Sequence, residues 1–440
     1  MKAIHKTKGF LVSNSVMNKF FTIAEKWFIL FSVTFLTGNP IKLLLGPDTS
    51  LETLVSLVIY AISFLFLVLR WKQALTQVIK RGKLILVVDF IVVASSLWSG
   101  FPVITLRNSM YLLGATCFGI YFATRYDLKQ QVRILARGFG VIVLMSLIFG
   151  AALPKYGRQY DEMYQGVWRG IYMHKNSLGF QMALSGVLFI ILLIGSDRKK
   201  WAAWAGCVFS FVLVILSRSA AALVDFLILA SLLPLFSLLR FRWNLRIPVL
   251  TIALLVIGGA NILLLGYKGQ LLGALGKDET LTGRTDMWPY VWDMIEKRPW
   301  LGYGYEGFWR GWNSESDYIW RAVGWKPPHA HNGFLELLLI FGWLGTSIYM
   351  FGFLINFLKS LNLIHLNRSP EAFWPAIYLI FIILTNISEK NILFGMNWAL
   401  YVAVSLLPVN SSSQDIANNP KLVDFQKVDS SYLSEKVEEG

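Results

Sequence analysis

The chain has 440 residues, of which 55% are hydrophobic and 15% charged, and its mean hydropathy of +0.54 is well above that of soluble domains. These values predict a membrane protein and exclude a large soluble catalytic domain. The net charge of +15 would suggest nucleic-acid binding in a soluble protein, but in a membrane protein it indicates orientation, so we expect no nucleic-acid partner.

Hydropathy and charge breaks predict an all-α polytopic fold with about twelve transmembrane helices. The nearly continuous apolar run from Leu51 to Leu69 excludes the alternating strands of a membrane barrel. We expect a cytoplasmic N-terminus at 1–19, a transmembrane domain at 20–408 and a polar tail at 409–440 that is disordered in the cytoplasm. The predicted spans are 20–37, 51–69, 84–98, 106–124, 138–153, 177–195, 201–217, 220–238, 247–266, 333–358, 371–387 and 391–408.

The connections between these spans differ in charge. On the face that carries the N-terminus, the connections hold seventeen Lys and Arg residues, among them Arg70, Arg81 and Lys129. The short connections of the opposite face offer Lys42, Arg107, Arg218 and Lys390. Because basic residues concentrate on the cytoplasmic side, both termini are predicted to be cytoplasmic.

Two longer loops, 154–176 and 267–332, lie on the opposite, outer face. In the second loop, Trp288, Val291, Trp292 and Ile295 follow helical spacing, and Pro299 comes after them. This pattern predicts a short amphipathic helix on the outer membrane surface that ends before the proline.

Four polar stretches converge on this outer face and contain three of the five histidines of the chain. Arg218 lies at a span junction among Ser and Ala, small residues that let helices approach closely, so we expect its guanidinium to face a protein cavity. Arginine forks bind phosphate oxygens bidentately and can hold a diphosphate without a metal. The stretches are Arg169–Asn176, Ser217–Ala220, Gly283–Trp288 and His329–Glu336.

The last stretch offers two histidines in an H-x-H pattern. No third or fourth ligand is evident near His329 and His331, so we expect no metal there. A neutral histidine is better suited to accepting a hydroxyl proton. Asn332 can cap the following span, and Glu336 lies inside it, where a carboxylate needs a partner.

Alternatives remain for each of these residues. Arginines and lysines near span ends often extend to lipid headgroups, and a histidine can simply hydrogen-bond its loop. The G-x-G-x-x-G of 302–307 lacks the β-α-β context of a dinucleotide site. Asp89 and Asp225 lie inside spans and favour a multispan solute or ion transporter as the main alternative.

Taken together, the stretches resemble a known superfamily, the O-antigen ligases, O-antigen polymerases and exopolysaccharide polymerases. The resemblance depends on R-G-x-x-x-H-K-N-x-L-G at 169–179, S-R-S-A at 217–220, G-R-T-D-x-W at 283–288 with its sequel to 308, and H-A-H-N-G-F-L-E at 329–336. It covers about 165–345 by motif. One departure is Ser219, where the superfamily usually has glycine.

The resemblance implies a glycosyltransferase of the GT-C type in the bacterial inner membrane, with a large outer-face loop over the active site. Such an enzyme takes a glycan from an undecaprenyl-diphosphate-linked donor and transfers it, with inversion and without metal or other cofactor, to a glycan or lipid A core acceptor. The H-K-N around His174 is closer to exopolysaccharide polymerases than to lipopolysaccharide ligases. The implied roles are catalysis for His331, diphosphate binding for Arg218 and Arg284, and support for Arg169, His174, Lys175, His329, Asn332 and Glu336.

Overall fold

The structure is a computed structural model that describes residues 23–38, 40–46, 50–161, 164–195, 200–240, 243–266 and 282–408. The predicted cytoplasmic N-terminus and the predicted disordered tail lie outside the described residues. So does 267–281, the first part of the second outer loop.

Helices make up most of the described chain, and we number them in chain order. They are α1 (23–37), α2 (Pro40–Leu45), α3 (Leu51–Leu69), α4 (Trp71–Arg81), α5 (Lys83–Ala94), α6 (Pro102–Arg125), α7 (Leu128–Ala152), α8 (Pro154–Gly157), α9 (Lys175–Ile194), α10 (Lys200–Leu216), α11 (Ala220–Ser237), α12 (Arg246–Gly266), α13 (Thr282–Lys297), α14 (Asp317–Val323), α15 (Gly333–Leu366), α16 (Trp374–Ser388) and α17 (Gly395–Ser405). Short 3-10 turns lie at Ser95–Leu97, Leu238–Arg240, Trp243–Leu245 and Pro370–Phe373.

A helix lies at each of the twelve positions where the sequence predicts a span, and several are apolar enough for a multi-pass membrane protein. The prediction of twelve complete crossings is not confirmed. α5 has 12 residues and α17 has 11, so each is shorter than about 20 Å and cannot alone cross a hydrocarbon core of about 30 Å. Six segments of the described chain meet the length and hydropathy of a span: Leu51–Leu69, Leu128–Ala152, Lys175–Ile194, Ala220–Arg240, Gly333–Leu366 and Pro370–Ser388.

These segments differ in how far the rest of the protein encloses them. Within the segment that contains α16, 83% of the apolar window is buried, against 67% for α9 and 11% for α3. α16 and α9 therefore form the centre of the bundle, and α3 faces outward. The loop after α7 adds a feature that the sequence did not predict, an antiparallel pair of strands, β1 (Arg158–Tyr160) and β2 (Gln165–Trp168), with Arg158 opposite Trp168.

α15 is broken near its start, at Gly342, whose φ of 61° and ψ of −165° are not helical. The backbone of 299–304 fills the break and pairs with the groups that it frees. Pro299 and Trp300 accept hydrogen bonds from the amides of Trp343 and Leu344 at 2.7 and 3.2 Å, while the amides of Tyr303 and Gly304 donate to the carbonyls of Leu339 and Ile340 at 2.7 and 3.0 Å. A Cβ on Gly342 would lie 2.3 Å from the carbonyl carbon of Trp300, so the close approach requires glycine.

The predicted amphipathic helix is α13, and it ends at Lys297, before Pro299 as expected. The prediction that the apolar face of this helix lies against the membrane needs a correction. Met287, Val291, Met294 and Ile295 are buried in a small protein core with residues of the outer loop and α15, whereas Trp292 remains 40% exposed. The apolar face of α13 therefore packs against protein, because the neighbouring loop offers apolar side chains of its own.

Candidate functional site

Side-chain contacts connect the four polar stretches near the N-terminal end of α15. The amine of Lys175 donates to the carbonyl of Arg218 at 3.2 Å, which links the first stretch to the second. The indole of Trp288 donates to the carbonyl of Ala330 at 3.1 Å, which links the third stretch to the fourth. A carboxylate from the connection between α16 and α17 links the first to the fourth.

That carboxylate is Glu389. Its Oε1 accepts a hydrogen bond from the side-chain amide of Asn176 at 3.1 Å, and its Oε2 lies 3.4 Å from Nδ1 of His331. The His331 side chain is 13% exposed and that of Glu389 is 16% exposed, so both are largely shielded from solvent. Glu389 therefore lies beside the His331 ring within ion-pair distance, although Nδ1 of His331 makes no hydrogen bond within the described chain.

His329 approaches the same carboxylate, with its Nε2 4.0 Å from Oε2 of Glu389. The rings of His329 and His331 are 4.1 Å apart between centroids. The expectation that this H-x-H pair has no third ligand nearby is therefore wrong, because one ligand atom from each histidine and from Glu389 lie within 4.8 Å of one another. These three residues can hold a divalent metal ion, although structural zinc sites usually have a fourth ligand.

A buried ion-pair cluster lies next to the histidines and is centred on Lys390. Its amine contacts Glu306 and lies 3.2 Å from Oε1 of Glu336. Burial would lower the pKa of the amine, but the two carboxylates raise the pKa above the usual lysine range. Burial would likewise raise the pKa of Glu306, but Lys390 and Arg310 hold that pKa below its ordinary value. Lys390 and Glu306 are therefore charged at neutral pH.

Glu336 is 3% exposed and has both oxygens engaged. They accept from the indole of Trp309 at 3.1 Å, and Oε2 also accepts from the amide of Ala330 at 3.0 Å. These bonds fix the backbone between the two histidines. Asn332 caps α15 as its position predicts, accepting from the amides of Phe334 and Leu335 at 3.0 and 3.2 Å.

Arg218 is exposed, so the expectation that its guanidinium faces a protein cavity is not confirmed. Its backbone φ is 47° at the junction of α10 and α11. The junction packs closely on α9, since a Cβ on Gly179 would lie 2.7 Å from Cβ of Ala222 and 2.8 Å from the hydroxyl of Ser217. Ser219, the departure from the superfamily pattern, is buried with an ordinary φ of −97°. The unusual backbone conformation belongs to Arg218 itself.

The remaining predicted residues have mixed placements. His174 caps α9, because its Nδ1 accepts from the amide of Asn176 at 3.2 Å. Arg169 donates to the carbonyl of Tyr156 at 2.9 Å and so connects two parts of the loop 154–176. For Arg284 the structure describes the backbone at the start of α13, and its side chain lies outside what is described.

Positive φ values are rare outside glycine and mark strain that the surrounding structure has to hold. The described chain has five such residues, and three of them belong to this site. They are Arg218, Glu306 and His331; the other two are Asn313 and Leu393.

The sequence patterns did not predict that Glu389, Lys390 and Glu306 belong to this site. Glu389 follows His331 by 58 positions, and no local spacing relates the two. One signal was present, since Glu389 and Lys390 form an adjacent pair of opposite charges in the short connection between the last two predicted spans, on the predicted face of His331. Two adjacent charged residues between two apolar spans indicate a functional connection.

Fold and site together define a multi-pass membrane protein with a shielded polar site at one end of its helical bundle. Residues 205–350 match the model of a family described as O-antigen ligase, a range that includes Arg218, Arg284 and His331. The chain is also 27% identical over 289 residues to the exopolysaccharide production protein ExoQ of Rhizobium meliloti (strain 1021), in a match that covers 62% of this chain and 64% of that protein. These matches confirm the resemblance to the O-antigen ligase and polysaccharide polymerase superfamily.

Proposed function

We propose that this protein is a glycosyltransferase of the inner membrane that polymerises or ligates an undecaprenyl-diphosphate-linked oligosaccharide on the outer face, with both termini in the cytoplasm. The observation that carries the proposal is the contact of His331 with Glu389 and of Glu389 with Asn176, beside the junction that holds Arg218. A base and a cationic phosphate-binding residue thus come from separate parts of the sequence to one end of the bundle.

The proposed reaction needs one proton transfer. The acceptor hydroxyl oxygen attacks the anomeric carbon of the donor sugar from the side opposite the lipid diphosphate, and the bond from that carbon to the diphosphate oxygen breaks with inversion. The diphosphate leaves as a stable anion and needs no protonation. His331 takes the hydroxyl proton at Nε2, because Nδ1 faces Glu389, and general-base help of this kind contributes about 10²- to 10⁴-fold.

Arg218 and Arg284 are proposed to bind the diphosphate. The guanidinium fork matches two phosphate oxygens at once and keeps its charge at any physiological pH. Lys175 supports this arrangement indirectly, since its buried amine binds the carbonyl of Arg218 and fixes the junction. Glu336 acts in the same way on the histidines, through the bonds that hold Ala330.

Exopolysaccharide or O-antigen polymerisation is favoured over lipopolysaccharide ligation. The name of the relative, an exopolysaccharide production protein, and the H-K-N stretch around His174 both support this choice. A polymerase would use the growing glycan as its acceptor, whereas a ligase would use lipid A core.

The transporter alternative depends on Asp89, Asp225 and the broken helix α15. Asp89 accepts a hydrogen bond from the hydroxyl of Thr116 at 3.0 Å, as an ordinary buried carboxylate does. Carriers use unwound helices to coordinate substrate or ions, but the freed backbone of α15 is paired with 299–304. This pairing favours a transferase.

The test is transfer by the purified full-length protein in proteoliposomes. Lipid-linked oligosaccharide extracted from a strain that lacks the protein serves as donor, and both the glycan length and the released undecaprenyl diphosphate are measured. We expect chains of several repeats with one diphosphate lipid released per bond. Absence of release, together with passage of a labelled solute across the bilayer, would favour the transporter.

Treatment with a chelator distinguishes the metal-independent mechanism from one in which His329, His331 and Glu389 bind a metal ion. We expect transfer to persist in EDTA, since the diphosphate needs no metal when two arginines bind it. Loss of transfer in EDTA, restored by added Zn²⁺ or Mn²⁺, would assign the three residues to a metal.

A further inference from the structure

The helix α4 has an apolar stripe that the rest of the protein leaves uncovered. It begins two residues after the end of α3 and connects α3 to α5. Trp71, Leu75 and Ile79 lie four residues apart, on one side of the helix, and are 57%, 49% and 50% exposed, while Ala74 and Val78 face the protein. Such a helix at the end of a membrane span is typical of one that lies in the bilayer interface.

Basic residues accompany this stripe. Lys72 and Lys80 are exposed on α4, and Lys83 is exposed at the start of α5. An amphipathic helix with lysines beside its apolar face binds membranes that contain anionic lipids, because each basic residue near the surface strengthens binding about fivefold.

A small open cleft adjoins the C-terminal end of α4, between α5, α15 and α17. Arg81 and Lys359 line it, together with the polar side chains of Asn356, Tyr401 and Ser405. These three polar groups are already ordered, since the amide of Asn356 donates to the hydroxyls of Tyr401 and Ser405 at 3.2 and 2.7 Å. Arg81 is anchored by its bond to the carbonyl of Leu406 at 3.4 Å.

The described side chains that line the cleft carry a net positive charge. Among the described residues that line it, two are cations and none is a carboxylate, and Arg81 lies close enough to Lys359 to repel it electrostatically. The side of the cleft formed by α5 is apolar, with Leu84, Ile85 and Val88. A ligand that satisfies all of these groups needs an anionic head and an apolar tail.

We propose that this cleft binds the phosphate headgroup of an anionic membrane phospholipid between Arg81 and Lys359, with α4 lying in the interface of the same leaflet. A free phosphate would satisfy the cations but leave the exposed apolar stripe of α4 uncovered. Lys359 follows Gly333 by 26 residues along α15, so this lipid site lies at the end of the helix opposite the candidate site. It is separate from the proposed function and does not require it.

The experiment measures lipid binding by native mass spectrometry of the full-length protein in detergent. Dioleoylphosphatidylglycerol and dioleoylphosphatidylcholine are titrated separately, with inorganic phosphate as a competitor. We expect one phosphatidylglycerol to bind in preference to phosphatidylcholine. The double variant Arg81→Gln with Lys359→Gln should weaken that binding on the order of 25-fold, a factor of about five for each charge.

Two matched variants control for folding and for total charge. Arg81→Lys with Lys359→Arg keeps both cations and should retain phosphatidylglycerol. Lys129→Gln with Arg137→Gln removes two exposed charges from α7 and should also retain it. The proposal is overturned if the cleft variant binds phosphatidylglycerol like the wild type, if the α7 variant loses it equally, or if millimolar phosphate displaces it fully.

Discussion

At the scale of single residues, Arg218 combines an exposed side chain with a left-handed backbone that Lys175 fixes. Lysine in its place keeps the charge and loses the fork. We expect Arg218→Lys and Arg284→Lys each to lower transfer about tenfold, the equivalent of one charge-assisted hydrogen bond. In vitro transfer measures the effect, with Arg321→Lys on α14 as the control, because that arginine pairs with Asp317 outside the site. Wild-type transfer by both variants would make these arginines structural.

Lys390 is the cation that Glu306 and Glu336 share in the buried cluster. Lys390→Met leaves Glu306 and Glu336 without their shared cation, so the free energy of unfolding should fall by about 3–5 kcal/mol. Thermal unfolding in detergent measures it, with the exposed Lys326→Met as control. An unchanged unfolding midpoint for Lys390→Met would show that the two carboxylates find other partners.

The cluster also predicts a pH dependence. The pKa of Glu306 is lowered in the folded protein, so its ionised form stabilises the fold above the pKa of the unfolded chain, and this stabilisation is lost as pH falls through the lower folded value. We expect the stability of the wild type to decrease below about pH 4.3, the usual glutamate pKa. Glu306→Gln should reduce that decrease, and an identical acid profile in the variant would contradict the assignment.

At the scale of the elements, the break in α15 depends on Gly342. An alanine at this position would have an unfavourable positive φ, and its Cβ would lie too close to the carbonyl groups of Pro299 and Trp300. Gly342→Ala should therefore destabilise the protein by about 1–3 kcal/mol. Limited proteolysis of the outer loop and thermal unfolding report the loss. Gly258→Ala on α12 is the control, because a Cβ there meets no atom within 4 Å, and it should be neutral or slightly stabilising. Equal stability of the two variants would argue against docking of 299–304 in the break.

The break also illustrates what sequence patterns can and cannot predict. Apolar runs placed helices at all twelve positions, because burial in lipid or protein demands continuous apolar surface. They did not predict the break, since the residues on either side of Gly342 pair with a loop that precedes them by about 40 residues. Gly302 and Gly304, dismissed as a dinucleotide motif, have φ values of 64° and 87° and serve this backbone pairing.

The same limit applies to the candidate site. The motifs marked His331 and Arg218, because residue type and local spacing are visible in the sequence. Glu389 was missed, because its contact with His331 exists only after α15 and α16 pack together. Packing of distant elements determines which carboxylate meets which histidine.

At the scale of the whole molecule, the proposed function requires the site to face outward. In a background with Cys117→Ala and Cys207→Ala, single cysteines at Lys326 and Lys129, both exposed, report the two faces. We expect a membrane-impermeant thiol reagent to label Lys326→Cys in intact spheroplasts. The same reagent should label Lys129→Cys only after the membrane is permeabilised. The reverse pattern would place the site in the cytoplasm and exclude transfer on the outer face.

The most direct test of the central claim is glycan transfer by His331→Ala, with donor binding followed separately. If His331 is the base, the variant should bind the lipid-linked donor like the wild type and transfer about 10²- to 10⁴-fold more slowly, while His329→Ala loses less. If His331→Ala transfers at the wild-type rate and Glu336→Gln abolishes transfer, the base is the carboxylate and the claim is contradicted.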